Sequence, residues 1–396
     1  MAAGAVKSTS SLKVAPSSGP SAPTKRTRAK DGILAADRMI VTAPFPGPPP
    51  PLRSHSGFEF DMDGSLRSQV AVVLTSALEK KTREQYNTGI TKFRAFCDAL
   101  DIPFGDRFPI SGDLLLAFVC SFAGKVRSGT VRQYLCGLAS WHRMWNKPWP
   151  LYDSVSFALK GLTRLAPPPK ELRAPVLAPD LLAVRSQLNL EDNPHHAAVW
   201  ACALVSWWAC CRLGETTLPS LSFFSPSRHP SRASVSSPRL VGPSLSLVVD
   251  VRFPWTKTTK VEGIVKSLVS VGGPLDPVAA LLHHLSLSPV PPGAEAQTPL
   301  FAYTVGGGGF RFMAKTGFLF EFNAALIRSG RDSFQGHSFR IGGATAHWHA
   351  GASISEIMLL GGWRSDVVTR YLRDYGRGLL EVHHRTAAAA ASLPAP

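Results

Sequence analysis

The sequence predicts a mainly α-helical chain with two folded domains. The first is an all-α domain over residues 65–165; the second, over 180–385, is α+β with a small antiparallel sheet. Three observations carry this. Apolar residues recur with helical period from about residue 66 to 165. The proline-rich stretch LAPPPKELRAPVLAPD (165–180) then breaks the pattern. Beyond it, helical stretches surround two runs of strand type joined by a polar turn. A length of 396 residues suits two ordinary domains plus tails.

Residues 1–64 are rich in Ser, Pro, Gly and Ala, include PFPGPPPPL (44–52), and show neither helical nor strand period. A disordered, basic and Pro-rich tail is expected there. Its KRTRAK (25–30) is either a nuclear import signal, a DNA-hugging arm or a solvated charge cluster.

TREQYNTGITKFRAFCDALDI (82–102) places Tyr86, Ile90, Phe93, Phe96 and Leu100 on one helical face. SGTVRQYLCGLASWHRMW (128–145) does the same with Val131, Tyr134, Leu135, Leu138, Trp141 and Trp145, and SGDLLLAFVCSFAG (111–124) reads as a buried helix between them. The prolines of 166–179 make a semi-rigid linker.

The second domain opens with a helix near 180–190 and an apolar helix over 195–211. SPSRHPSRASVSSPR (225–239) reads as a mobile loop. SLSLVVDVRF (244–253) alternates in period two, as a half-buried strand does, and the turn KTTKVEG leads into IVKSLVSV (264–271). Asp276-Pro277 starts a helix with a cap and a proline in its first turn. Gly306–Gly309 lacks the spacing of a phosphate cradle. A helix over 316–329 follows, then Ser353 to Glu356 as a capping box whose helix stops at Gly361-Gly362. Ser365 or Asp366 starts the helix that carries Tyr371, and an alanine-rich, disordered tail is expected over 386–396.

Composition narrows the function. Forty-three Lys and Arg against 27 Asp and Glu give a net charge of +16, which favours a polyanionic partner, nucleic acid before membrane. The most apolar stretch, AAVWACALVSWWACC (197–211), is shorter than the roughly 20 residues of a membrane span and ends in Arg212. The six cysteines contain no CxxC pair and read as reduced thiols of an intracellular protein.

GHSFRIGGAT (336–345) sets His337 and Arg340 on one helical turn beside small residues. Four further pieces accompany it: Arg212 in CRLGE, Lys257 in PWTKTTK, Trp363 after a double glycine, and Tyr371. Two arginines, a lysine, a histidine and a tyrosine suit attack on a phosphodiester. Arginine forks neutralise its oxygens, tyrosine is a nucleophile, and histidine and lysine handle protons. Lys260 rivals Lys257 for the proton-donor role, and Tyr375, one helical turn after Tyr371 and on the same expected helical face, rivals Tyr371. His347 and His349 lack the partners of a zinc site.

Over SEIMLLGGWRSDVVTRYL (355–372), and back through HSFRIGGAT, PWTKTT and RLGE (212–215), the sequence resembles the tyrosine recombinase (integrase) family, in a form typical of eukaryotic mobile elements. The family's order, Arg…Lys…His-x-x-Arg…His/Trp…Tyr, is complete here. The eight-residue gap from Trp363 to Tyr371 matches the mobile-element members.

The resemblance implies a helical core-binding domain over 65–165, a catalytic domain of the DNA breaking-rejoining fold over 180–385, and closure of the two around a duplex. It implies Arg212, Lys257, His337, Arg340, Trp363 and Tyr371 as catalytic residues, with Glu215 in support. Arg132, His142, Arg143 and Lys147 are candidates for backbone phosphate contacts. A site-specific DNA recombinase acting through a 3′-phosphotyrosyl link follows, with no metal, cofactor or ATP, as a nuclear homotetramer on two double-stranded DNA sites. Two alternatives stand beside it: a derived DNA-binding protein without cleavage, supported by a loose helix-turn-helix look at 344–362, and a monomeric type IB topoisomerase-like enzyme.

Overall fold

The computed structural model describes residue 56, residues 64–150 and residues 153–391. The expected tail at 1–64, KRTRAK included, lies outside the described residues apart from residue 56 and Gly64, which opens the first helix. The chain divides into two compact units, residues 1–170 and 171–396.

The first unit is helical: α1 (Gly64–Ser76), α2 (Lys80–Asp98), α3 (Gly112–Cys120), α4 (Ser128–Met144) and α5 (Asp153–Arg164). Ser111 caps α3 by accepting the Leu114 amide. The stripes expected on α2 and α4 meet in one core. There Phe93 and Phe118 stand edge to face at 5.4 Å, with Leu115, Leu135, Leu138 and Val155 around them. Leu100 departs from the expectation: α2 ends at Asp98, so the helical period no longer places Leu100 on the buried face, and it is exposed.

The second unit opens with α6 (Ala178–Ser186), α7 (Pro194–Trp208) and the single turn α8 (Leu213–Thr216). Helix α7 is buried all round from Ala197 to Trp207, which explains why its sequence shows no amphipathic period. Strands β1 (Arg239–Val241), β2 (Ser246–Phe253) and β3 (Ile264–Val269) form an antiparallel sheet in the order β1-β2-β3, with Val251 opposite Lys266. Val249, Val251 and Phe253 point into the core, the half of the alternating pattern expected to be buried.

The segment expected to be a mobile loop, 225–239, is built into this unit. His229, Pro230, Ser231 and Arg232 are buried, and the Arg232 guanidinium donates to the Ala302 carbonyl at 2.6 Å. Helix α9 (Pro277–Leu287) starts at Asp276, whose carboxylate accepts the Val278 and Ala279 amides. A two-stranded hairpin, β4 (Tyr303–Thr304) and β5 (Phe310–Arg311), turns at the four glycines.

Helices α10 (Lys315–Arg328), α11 (Ser338–His349) and α12 (Ile354–Gly361) follow. The capping box of α12 forms as expected, and Gly362 ends the helix in the left-handed region at φ 68°. A 3-10 helix, Asp366–Tyr371, comes next, then α13 (Tyr375–Ala391). The expected disordered tail from 386 gives way to helix as far as Ala391. The alanine run that suggested fraying also has the highest helix propensity of any residue type.

The architecture is therefore mainly α with a small antiparallel sheet in the second unit.

Candidate active site

The site grows from two backbone approaches. A Cβ on Gly342 would strike the Val176 carbonyl, and one on Gly343 the Trp207 carbonyl. Glycine at 343 lets α11 lie directly against the end of α7, and glycine at 342 lets it lie against the segment that leads into α6. The same contact sets Arg340, one turn earlier on α11, against the chain that leaves α7. There Cys210 adopts φ 46°, a left-handed conformation that costs a residue with a side chain on the order of 1–3 kcal/mol. Its carbonyl accepts from Arg340 Nη1. The same nitrogen donates to the Gly361 carbonyl at 3.0 Å.

Arg340 is wholly buried, and its guanidinium lies 3.6 Å from the centroid of the Trp363 ring and 5.6 Å from that of Tyr371. Trp363 and Tyr371 meet edge to face at 5.2 Å. A small apolar cluster of Cys210, Ala344, Trp348, Ile357, Val368 and Leu372 supports these rings. Helix α11 also holds the tyrosine's backbone: Thr345 Oγ1 donates to the Tyr371 carbonyl at 3.2 Å.

Burial, then the nearby Arg212, press the Arg340 pKa downward. Three donors here are buried with no acceptor among the described residues: Arg340 Nε, Arg340 Nη2 and Trp363 Nε1. Each such group costs about 1–3 kcal/mol if nothing binds it.

Arg212 stands at the start of α8, half-buried. Its Nη1 donates to Glu215 Oε1 at 2.8 Å, and its backbone N–H donates to Glu215 Oε2 at 2.9 Å. Glu215 is buried. One carboxylate thus fixes both the side chain and the backbone of Arg212.

His337 is half-buried at the N-cap of α11. Its pKa is lowered, by burial first and then by Arg173, Lys315, Arg212 and Arg340. A histidine so placed is neutral at pH 7 and able to accept a proton.

Lys257 is exposed in the turn between β2 and β3. That turn is tied to the site, because Thr258 Oγ1 donates to the Gly362 carbonyl at 3.3 Å, beside Trp363. Lys260 is also exposed, at φ 54°, and its ammonium faces the Trp255 ring at 5.5 Å. The structure therefore brings together Arg212, Glu215, His337, Arg340, Trp363 and Tyr371, with Lys257 in the adjoining turn.

Tyr375 does not continue the Tyr371 helix. The 3-10 helix ends at Tyr371, Asp374 takes φ 50°, and Tyr375 opens α13. The expectation that the two tyrosines share one helical face fails at this break.

Among the candidate phosphate contacts, Arg132, Arg143 and Lys147 are exposed. His142 is not available. It is fully buried, its Nε2 accepts the Ile110 amide at 3.0 Å, and its Nδ1 donates to the Leu138 carbonyl at 2.8 Å. Its place four residues after Leu138, on the apolar stripe of α4, is the sequence signal that identifies it as core.

His347 and His349 spend their Nε2 atoms on the Trp208 and Arg373 carbonyls, each at 3.1 Å. The sequence reading missed Lys266. It is buried on β3 and donates to the Ala209 carbonyl at 2.5 Å, bracing the turn that aims Cys210. The Cys210 thiol is no nucleophile, since burial pushes its pKa up to about 12.

No family model matches the chain, and no curated protein matches its sequence. Some solved structures align with it at TM-scores below 0.5. A lambda integrase dimer bound to a COC′ core site aligns at TM-score 0.49 with 16% identity, over 79% of this chain and 77% of that one. A lambda integrase tetramer bound to a Holliday junction gives 0.45 and 15%, over 86% and 82%. The XerH site-specific recombinase in a post-cleavage complex with palindromic difH substrate gives 0.44 and 12%, over 82% and 84%.

Proposed function

We propose that this chain breaks and rejoins DNA strands through Tyr371. The observation that carries the reading is the set of buried donors without acceptors, Arg340 Nε and Nη2 and Trp363 Nε1, gathered beside a tyrosine ring. Oxygens of a phosphodiester are acceptors of the required charge. They enter when the Trp363 side of the pocket opens, because Arg340 is otherwise covered.

In this scheme Arg212 and Arg340 hold the non-bridging oxygens and offset the negative charge that grows on them during attack. Trp363 donates its indole N–H to the same phosphate. The Tyr371 hydroxyl oxygen attacks phosphorus, and neutral His337 takes the phenolic proton. The bond from phosphorus to the 5′-oxygen breaks, and Lys257 protonates that oxygen. The product is a 3′-phosphotyrosyl link and a free 5′-hydroxyl. Attack by a 5′-hydroxyl on the link reverses each step and rejoins a strand. The link conserves the bond energy, so the cycle uses no ATP, and the guanidinium pair supplies the positive charge that a metal would otherwise bring. Glu215 acts through Arg212, by fixing its orientation. Exchange between two duplex sites would require a homotetramer, which distinguishes a recombinase from a monomeric nicking and resealing enzyme.

The test is incubation of the purified full chain with supercoiled plasmid in a metal chelator, followed by a denaturing quench. Relaxed DNA and a covalent protein–DNA adduct are expected from the wild type and from Tyr375→Phe, and neither from Tyr371→Phe. Binding without an adduct in any variant, on a library of duplex sites as well as on plasmid, would remove the strand-cleaving reading.

A further inference from the structure

The surroundings of His337 hold more positive charge than one phosphodiester can neutralise. Arg173, Arg212, Lys315 and Arg340 all act on this histidine, and Glu215, the carboxylate among the groups at Arg340, is committed to Arg212. A single phosphodiester carries one negative charge, so cations remain over.

Lys315 is exposed, and the far end of its side chain lies against Gly336. A Cβ on Gly336, the residue before His337, would lie 2.8 Å from Lys315 Cε, 3.0 Å from Lys315 Nζ and 3.5 Å from Leu213 Cδ1. The Lys315 ammonium thus lies against the bare backbone at Gly336, next to His337, where the Leu213 side chain also approaches. The ammonium has no hydrogen-bond or ion-pair partner among the described residues. Nor does Lys315 serve its own helix. It is the first residue of α10, where the helix dipole disfavours a cation by about 0.3–1 kcal/mol, and no acidic residue in that turn offsets it.

We propose that Lys315 binds a second DNA phosphate, the one next to the phosphate held by Arg212 and Arg340, and that Gly336 is glycine to seat it there. The inference rests on the strand-cleaving reading of the site. It adds a contact that fixes the strand's register at the site and takes no part in proton transfer.

The experiment is the salt dependence of binding to a fluorescent duplex, measured by anisotropy for the wild type, Lys315→Gln, Lys315→Arg, Gly336→Ala and Arg328→Gln. Loss of one phosphate contact lowers the slope of log K against log salt by about 0.9. Lys315→Gln is expected to show that drop and Lys315→Arg to retain the wild-type slope. Gly336→Ala, which displaces the ammonium without removing it, is expected to lower the slope as well. Arg328→Gln, at the far end of the same helix, is expected to leave it unchanged. A wild-type slope in Lys315→Gln would overturn the proposal while leaving the cleavage reading intact, and so would equal drops in Lys315→Gln and Arg328→Gln. Absence of salt-dependent binding by the wild type would overturn both.

Discussion

His284 offers a quantitative test of the interior of the second unit. It is fully buried on α9; its Nε2 donates to the Leu300 carbonyl at 3.1 Å, and its Nδ1 has no partner among the described residues. Burial, and then the nearby Arg232, lower its pKa to about 3. An unfolded histidine titrates near pH 6.5. Below that pH the unfolded chain takes up a proton that the folded chain refuses. The stability contribution is therefore complete above about pH 6.5 and is lost as the pH falls towards 3. Each pH unit of that window costs about 1.4 kcal/mol, so at pH 4.5 the loss from this one group is about 2.7 kcal/mol. His284→Gln keeps an amide donor for the Leu300 carbonyl and does not titrate. The assay is urea unfolding, followed by tryptophan fluorescence at several pH values between 7.5 and 4.5, for wild type and variant. The stability advantage of the wild type over the variant should shrink by about 2.7 kcal/mol across the series. A difference that stays constant with pH would refute a buried, neutral His284.

Three further outcomes are expected. Glu215→Gln keeps one hydrogen bond to Arg212 and loses a charge-assisted one, worth about 1.5–3 kcal/mol; single-turnover adduct formation should fall about 10- to 150-fold, and an unchanged rate would remove Glu215 from the support of Arg212. His337 must be neutral to accept the Tyr371 proton, and its pKa is lowered. The adduct rate should hold down to about pH 6.5 and fall only in more acid solution; loss of rate beginning above pH 7 would contradict that role. Gly343→Ala puts a Cβ onto the Trp207 carbonyl. It should destabilise by about 1–3 kcal/mol, seen as a melting temperature lower by several degrees, whereas an unchanged melting temperature would show that α11 and the end of α7 are not held in that contact.

The helices and the sheet were readable from the sequence where the signal is local. The stripes of α2 and α4, the cap at Asp276, the capping box at Ser353 and the alternation of β2 depend on residues a few positions apart. The site residues were readable as types in order, because a motif keeps residue identity when geometry is unknown. Their environments were not. Nothing near Cys210 in the sequence signals a left-handed backbone, since Arg340, which donates to its carbonyl, lies 130 positions away. Lys266 shares the inward face of β3 with Ile264 and Leu268, but the Ala209 carbonyl that partners its ammonium comes from another element. The seat of Lys315 on Gly336 joins residues of two elements in the same way. His142 is the opposite case. Its helical period identified it as core, and reading it for its charge led to the wrong surface.

The most direct test of the central claim is the identity of the residue that carries DNA. Trypsin cleaves after Arg370, Arg373 and Arg377, so Tyr371 and Tyr375 fall on different peptides, Tyr371–Arg373 and Asp374–Arg377. A covalent adduct formed in chelator, digested with nuclease and trypsin, should carry its nucleotide mass on the peptide Tyr371–Arg373. Nucleotide on Asp374–Arg377, or on any peptide other than Tyr371–Arg373, would contradict the assignment of Tyr371 and with it the site built around Arg340 and Trp363.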